Sequence, residues 1–111
     1  MVKDLFTNLI LIPIALFFSS FVMAENEIST QRSAELNNLL VQDCGSCHGM
    51  TMKGGLGPAL TPEILKNKPR DMIQATIAYG RPGTPMPPWN NILSAAEINW
   101  MVDTLYAGVK Q

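Results

Sequence analysis

The first apolar pattern with helical spacing lies between Thr30 and Asp43. Three leucines occupy positions i, i+3 and i+4 and so fall on one face of a helix: Leu36, Leu39 and Leu40. A hydroxyl side chain at Ser29 or Thr30 can accept a hydrogen bond from the first free backbone amides of that helix. The pattern therefore predicts a helix from Thr30 to Asp43, with Cys44 to Gly49 following it as a turn.

A second apolar pattern lies near the C-terminus and has stronger boundary signals. Ser94 and Glu97 have the spacing of a capping box, and Leu93 and Ile98 can pack across it as a hydrophobic staple. The apolar residues that follow stand at i, i+3, i+4 and i+7: Ile98, Met101, Val102 and Leu105. Gly108 supplies a stop signal, so a helix is predicted between Ser94 and Gly108.

The middle of the chain is rich in residues that break regular structure. Seven glycines and seven prolines lie between Gly45 and Pro88, which predicts loops with short helices set among them. One such helix begins at Pro62 and runs to about Lys66. Another is bounded by Pro69 and Gly80, and its predicted apolar face is Met72, Ile73, Thr76 and Ile77. Because no segment alternates as a strand does, the chain is predicted to be all-α.

The first 24 residues differ in character from the rest of the chain. Lys3 precedes an apolar run from Leu9 to Phe18, and Val22-Met23-Ala24 resembles a cleavage site. These are the features of a secretory signal peptide. We therefore predict a signal peptide over 1–24 and a mature domain over 25–111, exported to the periplasm and without stable membrane insertion after cleavage. The alternative is a leader that is kept as an anchor.

The charge balance excludes several classes of partner. The chain has eight Lys and Arg against nine Asp and Glu, a net charge of −1. It therefore lacks the basic excess of a nucleic-acid-binding protein. A net charge near zero also predicts no strong electrostatic steering of a charged partner.

The two cysteines and the one histidine of the chain are neighbours, in Cys44-Gly-Ser-Cys47-His48. This spacing is typical of covalent c-type haem attachment, with two thioethers to the haem and the histidine directed at the iron. A thioredoxin-like redox pair needs strands that are not predicted here. Structural zinc needs four ligands, and a simple disulfide would leave His48 without a role. One covalently attached haem c is therefore the preferred interpretation.

The second axial ligand must be sought among the methionines, because the chain has no other histidine. Met50 and Met52 are too close to His48 in sequence, and Met72 and Met101 fall on predicted apolar helix faces. Met86 instead lies in a loop with four prolines, which restrict the backbone around it. Met86 is therefore the predicted ligand, and a His/Met iron without a free position indicates electron transfer rather than catalysis.

Four more residues are predicted around the haem. The carbonyl of Pro58 can accept the second ring N–H of His48 and so fix the ring, and Leu60 would then face the haem. Arg81 and Trp89 flank the methionine loop and carry donors suited to the haem propionates.

These motifs resemble those of the class I c-type cytochromes. Cys44-x-x-Cys47-His48, Gly57-Pro58-x-Leu60 and Met86-Pro87 stand in that family's order, between an N-terminal and a C-terminal helix. The resemblance covers the whole mature chain. It implies that the two terminal helices cross and that loops wrap the haem, with the haem edge exposed near the methionine loop. Many relatives have an aromatic residue near Thr104, whereas here the aromatic residues are Trp100 and Tyr106.

The resemblance is closer to the small NirC-type periplasmic cytochromes of denitrification clusters. The segments that carry it are Asp43–Met50, Gly54–Thr61 and Gly80–Trp89. It implies a monohaem carrier that passes single electrons to a haem-d-containing nitrite reductase through weak, transient contacts. The alternatives are a redox or haem-handling factor in maturation of that reductase's haem, and a haem sensor whose Met86 leaves the iron.

Overall fold

The computed structural model describes residues 27–111, and the predicted signal peptide, residues 1–24, lies outside the described residues. Between 27 and 111 the chain forms helices and loops without a β-strand, which confirms the all-α prediction. In chain order these are α1 Thr30–Leu39, a π-helical segment Leu40–Cys44, α2 Gly45–His48, α3 Pro62–Leu65, α4 Arg70–Tyr79 and α5 Ala95–Ala107. No helix in the described range has the length and apolar character needed to cross a membrane.

The first helical run is longer than predicted. Helical backbone continues through the π-helical segment into α2 and ends at Gly49, whose φ is +89°. The predicted turn over Cys44–Gly49 is therefore wrong for all but its last residue. Glycine and serine are weak helix formers, but Gly45 is buried and its amide donates to the Leu40 carbonyl. Tertiary packing thus outweighs local propensity here.

Helix α5 lies at the centre of the fold, in contact with α1, α3 and α4. Its four predicted apolar positions, Ile98, Met101, Val102 and Leu105, are all buried. The capping box is present, since the Glu97 amide donates to Ser94 Oγ over 3.2 Å and the Ser94 amide donates to Glu97 Oε2 over 2.8 Å. The predicted boundaries of the last helix are thereby confirmed.

Helix α4 buries only part of its predicted apolar face. Ile73 and Ile77 are in the core, but Met72 is 45% exposed, so the expectation that it fills the core is wrong. Its side chain lines a cavity.

The aromatic residues of α5, Trp100 and Tyr106, both pack against the core. The Tyr106 hydroxyl also donates to the Lys68 carbonyl over 2.7 Å, and Arg70 lies over its ring and pairs with Asp103. These contacts fasten the start of α4 to the end of α5.

The ion pair between Arg32 Nε and Glu97 Oε1, 2.6 Å long, joins α1 to α5. Arg32 and the Ser94 amide hold the pKa of Glu97 below its ordinary value. The ionised Glu97 carboxylate therefore stabilises the folded state when the pH is above the ordinary pKa of 4.5. This stabilisation is lost as the pH falls through the lowered pKa of the folded state. We expect Glu97→Gln to remove this part of the pH dependence.

Thermal melts of the haem-loaded protein between about pH 7 and about pH 3 measure this effect. Glu63→Gln is the control, because Glu63 makes no ion pair among residues 27–111. If the melting temperature of Glu97→Gln fell with decreasing pH as steeply as that of the wild type, Glu97 would not be the source of this pH dependence.

Candidate haem site

A cavity of about 410 Å³ opens between α2, α3, α4 and the loop after α4. His48 and Met86 both contribute to its wall, although they lie 38 positions apart in the chain. Most of the wall is apolar, and its partly or fully buried members include Leu60, Leu65, Ile73, Ile77 and Leu105. The fold thus brings a ring nitrogen and a thioether to one apolar space, whose volume is that of a small-molecule or cofactor site.

His48 is the last residue of α2, and its ring is held by the loop that follows. Nδ1 lies 2.7 Å from the carbonyl oxygen of Pro58, the partner expected from the sequence. A carbonyl oxygen only accepts hydrogen bonds, so Nδ1 must carry the proton. The free lone pair is then on Nε2. A neutral imidazole that is protonated on one nitrogen binds a metal through the other.

Gly57 leaves room for the same ring because it has no side chain, a requirement that sequence reasoning missed. A Cβ atom at this position would lie 2.7 Å from His48 Cε1 and 2.8 Å from Nδ1. The Gly57 amide also donates to the Cys47 carbonyl over 2.8 Å, and the Gly54 amide donates to the His48 carbonyl over 2.8 Å. The one signal available was that a glycine directly precedes Pro58.

Cys44 and Cys47 lie on the same helical run as His48 and are both half-buried free thiols. Burial raises the pKa of the Cys44 thiol to about 11, with a further contribution from the Asp43 charge. Before haem is attached, this side chain is therefore the uncharged thiol at neutral pH. Neither cysteine is part of the cavity wall, so their attachment to haem stays a prediction from the motif.

The loop that carries Met86 folds back on the end of α4. Gly80 turns the chain with a φ of +67°, and the Arg81 amide donates to the Met86 carbonyl over 3.2 Å. Thr84 tightens the loop by donating its hydroxyl to the Arg81 carbonyl over 2.7 Å. At the far end, the Trp89 amide donates to the Ile77 carbonyl over 3.1 Å. These bonds, rather than burial alone, position Met86 at the cavity.

The other predicted haem contacts divide into two groups. Pro58, Leu60 and Arg81 line the cavity with His48 and Met86. Trp89 does not line it and packs half-buried against the core instead. The roles of Arg81 and Trp89 toward propionates both stay predictions. The wall also contains residues that were not predicted for the site: Leu56, Ile64, Lys68, Met72 and Leu105.

The donor set suits haem better than the alternatives. An imidazole with its other nitrogen anchored, a thioether and apolar walls are features of His/Met haem ligation. Zinc would need a cluster of His, Cys, Asp or Glu, and residues 27–111 contain no group of three that could hold a metal ion.

Comparisons with known proteins agree with this chemistry. The family model described as cytochrome c oxidase, cbb3-type, subunit III matches residues 31–103. The chain is 54% identical to cytochrome c55X of Pseudomonas aeruginosa over 86 residues, which is 78% of this chain and 72% of that protein.

Two solved structures extend the comparison. The c-type cytochrome NirC is 57% identical, with a TM-score of 0.69 over 71% of this chain and 93% of that one. Dihydro-heme d1 dehydrogenase NirN is 34% identical, with a TM-score of 0.60, over 67% of this chain but only 16% of that one. The chain therefore belongs to the cytochrome c55X and NirC family of small class I c-type cytochromes, which carry covalently attached haem c.

Proposed function

We propose that the chain is a periplasmic one-electron carrier that donates to a haem-d-containing nitrite reductase, with its haem iron held by His48 and Met86. The observation that carries this proposal is that these two side chains line the same apolar cavity. With His48 and Met86 both holding the iron of a bound haem, no position would be left for a substrate. The protein is thus proposed to be a carrier and not an enzyme.

The bound haem supplies the one-electron change between Fe(III) and Fe(II). The chain's own part is to fix His48 through the Pro58 carbonyl and to present the Met86 thioether from a loop with its own hydrogen bonds. A neutral, soft thioether favours the ferrous state and raises the reduction potential.

The destination of the electrons is proposed from the relatives. The chain is similar to proteins named cytochrome c55X and NirC, and to a segment of a dihydro-heme d1 dehydrogenase. The last of these names links the relatives to haem d1 and favours a partner that uses that group. The predicted signal peptide supports the periplasm as the place of contact.

Visible spectra of the purified, haem-loaded protein with and without carbon monoxide test the ligation. We expect a low-spin spectrum that carbon monoxide leaves unchanged, because Met86 holds the iron. Met86→Ala should open the iron and give a spectrum that carbon monoxide shifts fully.

Met72→Leu is the matched control, since Met72 lines the same cavity. The substitution removes its thioether but keeps an apolar side chain of similar volume. Carbon monoxide binding to the wild-type protein would contradict ligation by Met86 and favour a haem sensor. If carbon monoxide bound to Met72→Leu but not to Met86→Ala, the ligand would be Met72 and not Met86.

A second candidate function is a redox or haem-handling step in maturation of the reductase's haem. The similarity to dihydro-heme d1 dehydrogenase, limited to 13% of the curated sequence, favours it. A strain that lacks this gene distinguishes the two. Full haem content in a reductase that receives no electrons supports the carrier, whereas a reductase without its special haem supports the maturation role.

A further inference from the structure

Met52 has a backbone conformation that methionine rarely adopts. Its φ is +58°, and among residues 27–111 the other positive φ values all belong to glycines. The loop after the attachment motif has two of these glycines, Gly49 with a φ of +89° and Gly54 with a φ of +106°. A bulky residue at positive φ persists only where its surroundings hold it there, and such residues cluster at functional sites. The chain thus keeps a side chain at Met52 where glycine would be unstrained, which points to a role for that side chain.

The Met52 side chain is buried by the polypeptide itself. It is 3% exposed and belongs to the same core cluster as Leu36 and Leu40. It does not line the haem cavity, so its burial does not depend on the cofactor. Of residues 49–60, it is the one that the polypeptide alone buries. Met52 is therefore the point at which this loop is anchored in the core.

The backbone of Met52 closes the segment that carries the hydrogen-bond acceptor of His48. The Met52 carbonyl accepts from the Leu60 amide over 2.8 Å. Pro58 lies two residues before Leu60, and directly before Pro58 the Gly57 amide is bound to the end of α2. The Pro58 carbonyl, which lies 2.7 Å from His48 Nδ1, is thus held from one side by α2 and from the other by Met52.

We propose that Met52 is a positioning residue for His48. Its buried side chain and its left-handed backbone hold residues 53–60 so that the Pro58 carbonyl stays at Nδ1. The inference rests on the proposed ligation of the iron by His48 and adds the residue that tunes this ligand. A hydrogen bond from Nδ1 to a fixed acceptor makes the other ring nitrogen more basic. A more basic imidazole favours Fe(III), so loosening of the Met52 anchor should raise the reduction potential.

Ordinary core packing is the competing interpretation of Met52. Truncation of a buried methionine lowers the free energy of unfolding wherever it lies in a core, so a loss of stability does not distinguish the two interpretations. The reduction potential does, and so does the rate at which the His48 Nδ1 proton exchanges with solvent. Both quantities report on the ring of His48 and not on the core.

Met52→Ala and Met101→Ala are matched truncations of the haem-loaded protein. Met101 is buried on α5 and does not line the cavity, so each variant removes one buried thioether. We expect both variants to melt at a lower temperature than the wild type. Only Met52→Ala should raise the reduction potential and accelerate exchange of the His48 Nδ1 proton by about tenfold, measured by proton NMR of the ferrous protein. An unchanged potential and exchange rate in Met52→Ala, or equal changes in the two variants, would overturn the proposal.

Met52→Leu and Met52→Ile test the left-handed backbone with two isomeric side chains. Both are apolar and close to methionine in volume, but a β-branched residue is much less compatible with a positive φ. Met52→Leu should therefore keep the potential and the Nδ1 exchange rate of the wild type, whereas Met52→Ile should shift both as Met52→Ala does. Equal values for the two isomers would contradict the part assigned to the Met52 backbone.

Hydrogen exchange in the wild-type protein tests the same proposal without a variant, and so covers the case in which Met52→Ala does not fold. The Leu60 amide and the His48 Nδ1 proton should exchange through one shared opening of the loop and respond equally to added denaturant. A Leu60 amide that exchanges freely while the ring proton stays protected would overturn the proposal. A low-spin spectrum that carbon monoxide leaves unchanged in the same samples would show that only the role of Met52, and not the carrier function, had failed.

Discussion

Replacing Cys44 and Cys47 together by serine is expected to leave the chain without a cooperative unfolding transition. The haem would then have no covalent link, and the cavity of about 410 Å³ would have to collapse or fill with water. Its apolar wall, which includes Leu60, Leu65 and Ile77, would then face water instead of the haem, and the main favourable contribution to folding would be lost there. A whole small domain has a free energy of unfolding of only about 5–15 kcal/mol, so we expect this loss to abolish cooperative unfolding.

Circular dichroism melts of the purified double variant measure this loss. The control is Ser46→Ala, which removes a hydroxyl that donates to the Asp43 carbonyl but keeps both thiols. We expect the control to melt cooperatively near the wild-type temperature. A sharp, native-like melt of the double variant would show that the polypeptide folds without its cofactor.

Gly80→Ala is expected to dislodge Met86 and open the iron to carbon monoxide. A Cβ atom on Gly80 would lie 2.6 Å from the Met86 carbonyl oxygen and 2.8 Å from Pro87 C. The first distance is about 0.8 Å less than the 3.4 Å at which ordinary contact begins. Both opposing atoms belong to the backbone of a loop with several prolines, so the loop must move as a unit and carry Met86 with it.

Gly83→Ala is the matched control for this collision. Gly83 has a φ of +78°, close to the +67° of Gly80, but no atom lies within 4 Å of the Cβ that would be added. Both variants therefore place a side chain at a positive φ that L residues rarely adopt, and only Gly80→Ala adds the clash. Equal carbon monoxide binding in the two variants would mean that backbone strain, and not the contact with the Met86 loop, controls the ligand.

The sequence predicted well those features that depend on neighbouring residues or on one periodicity. Ser94 and Glu97 cap α5 as their spacing indicated, and the Pro58 carbonyl accepts from His48 as expected from chemistry alone. Ser94 and Glu97 are only three positions apart, so their hydrogen bonds depend on local backbone structure. His48 is the one histidine of the chain, so no other residue competed for its role in the motif.

The missed features depend on contacts between distant segments. The first helical run continues through Cys44 and Gly45 to His48, where amides of the following loop bind its last carbonyls. Helix propensities do not include such contacts with a later segment. Met72 has the periodicity of a core residue, yet it lies outside the buried core cluster and its side chain lines the cavity.

The loop that binds the end of α2 has a consequence for engineering. The Cys47 and His48 carbonyls accept from Gly57 and Gly54, and His48 depends on Pro58 for its orientation. The attachment motif and the ten residues after it are thus one transplantable module. A designed helical bundle given only the five residues of the motif would have a histidine free to rotate, whereas a graft of residues 44–58 would bring its own support.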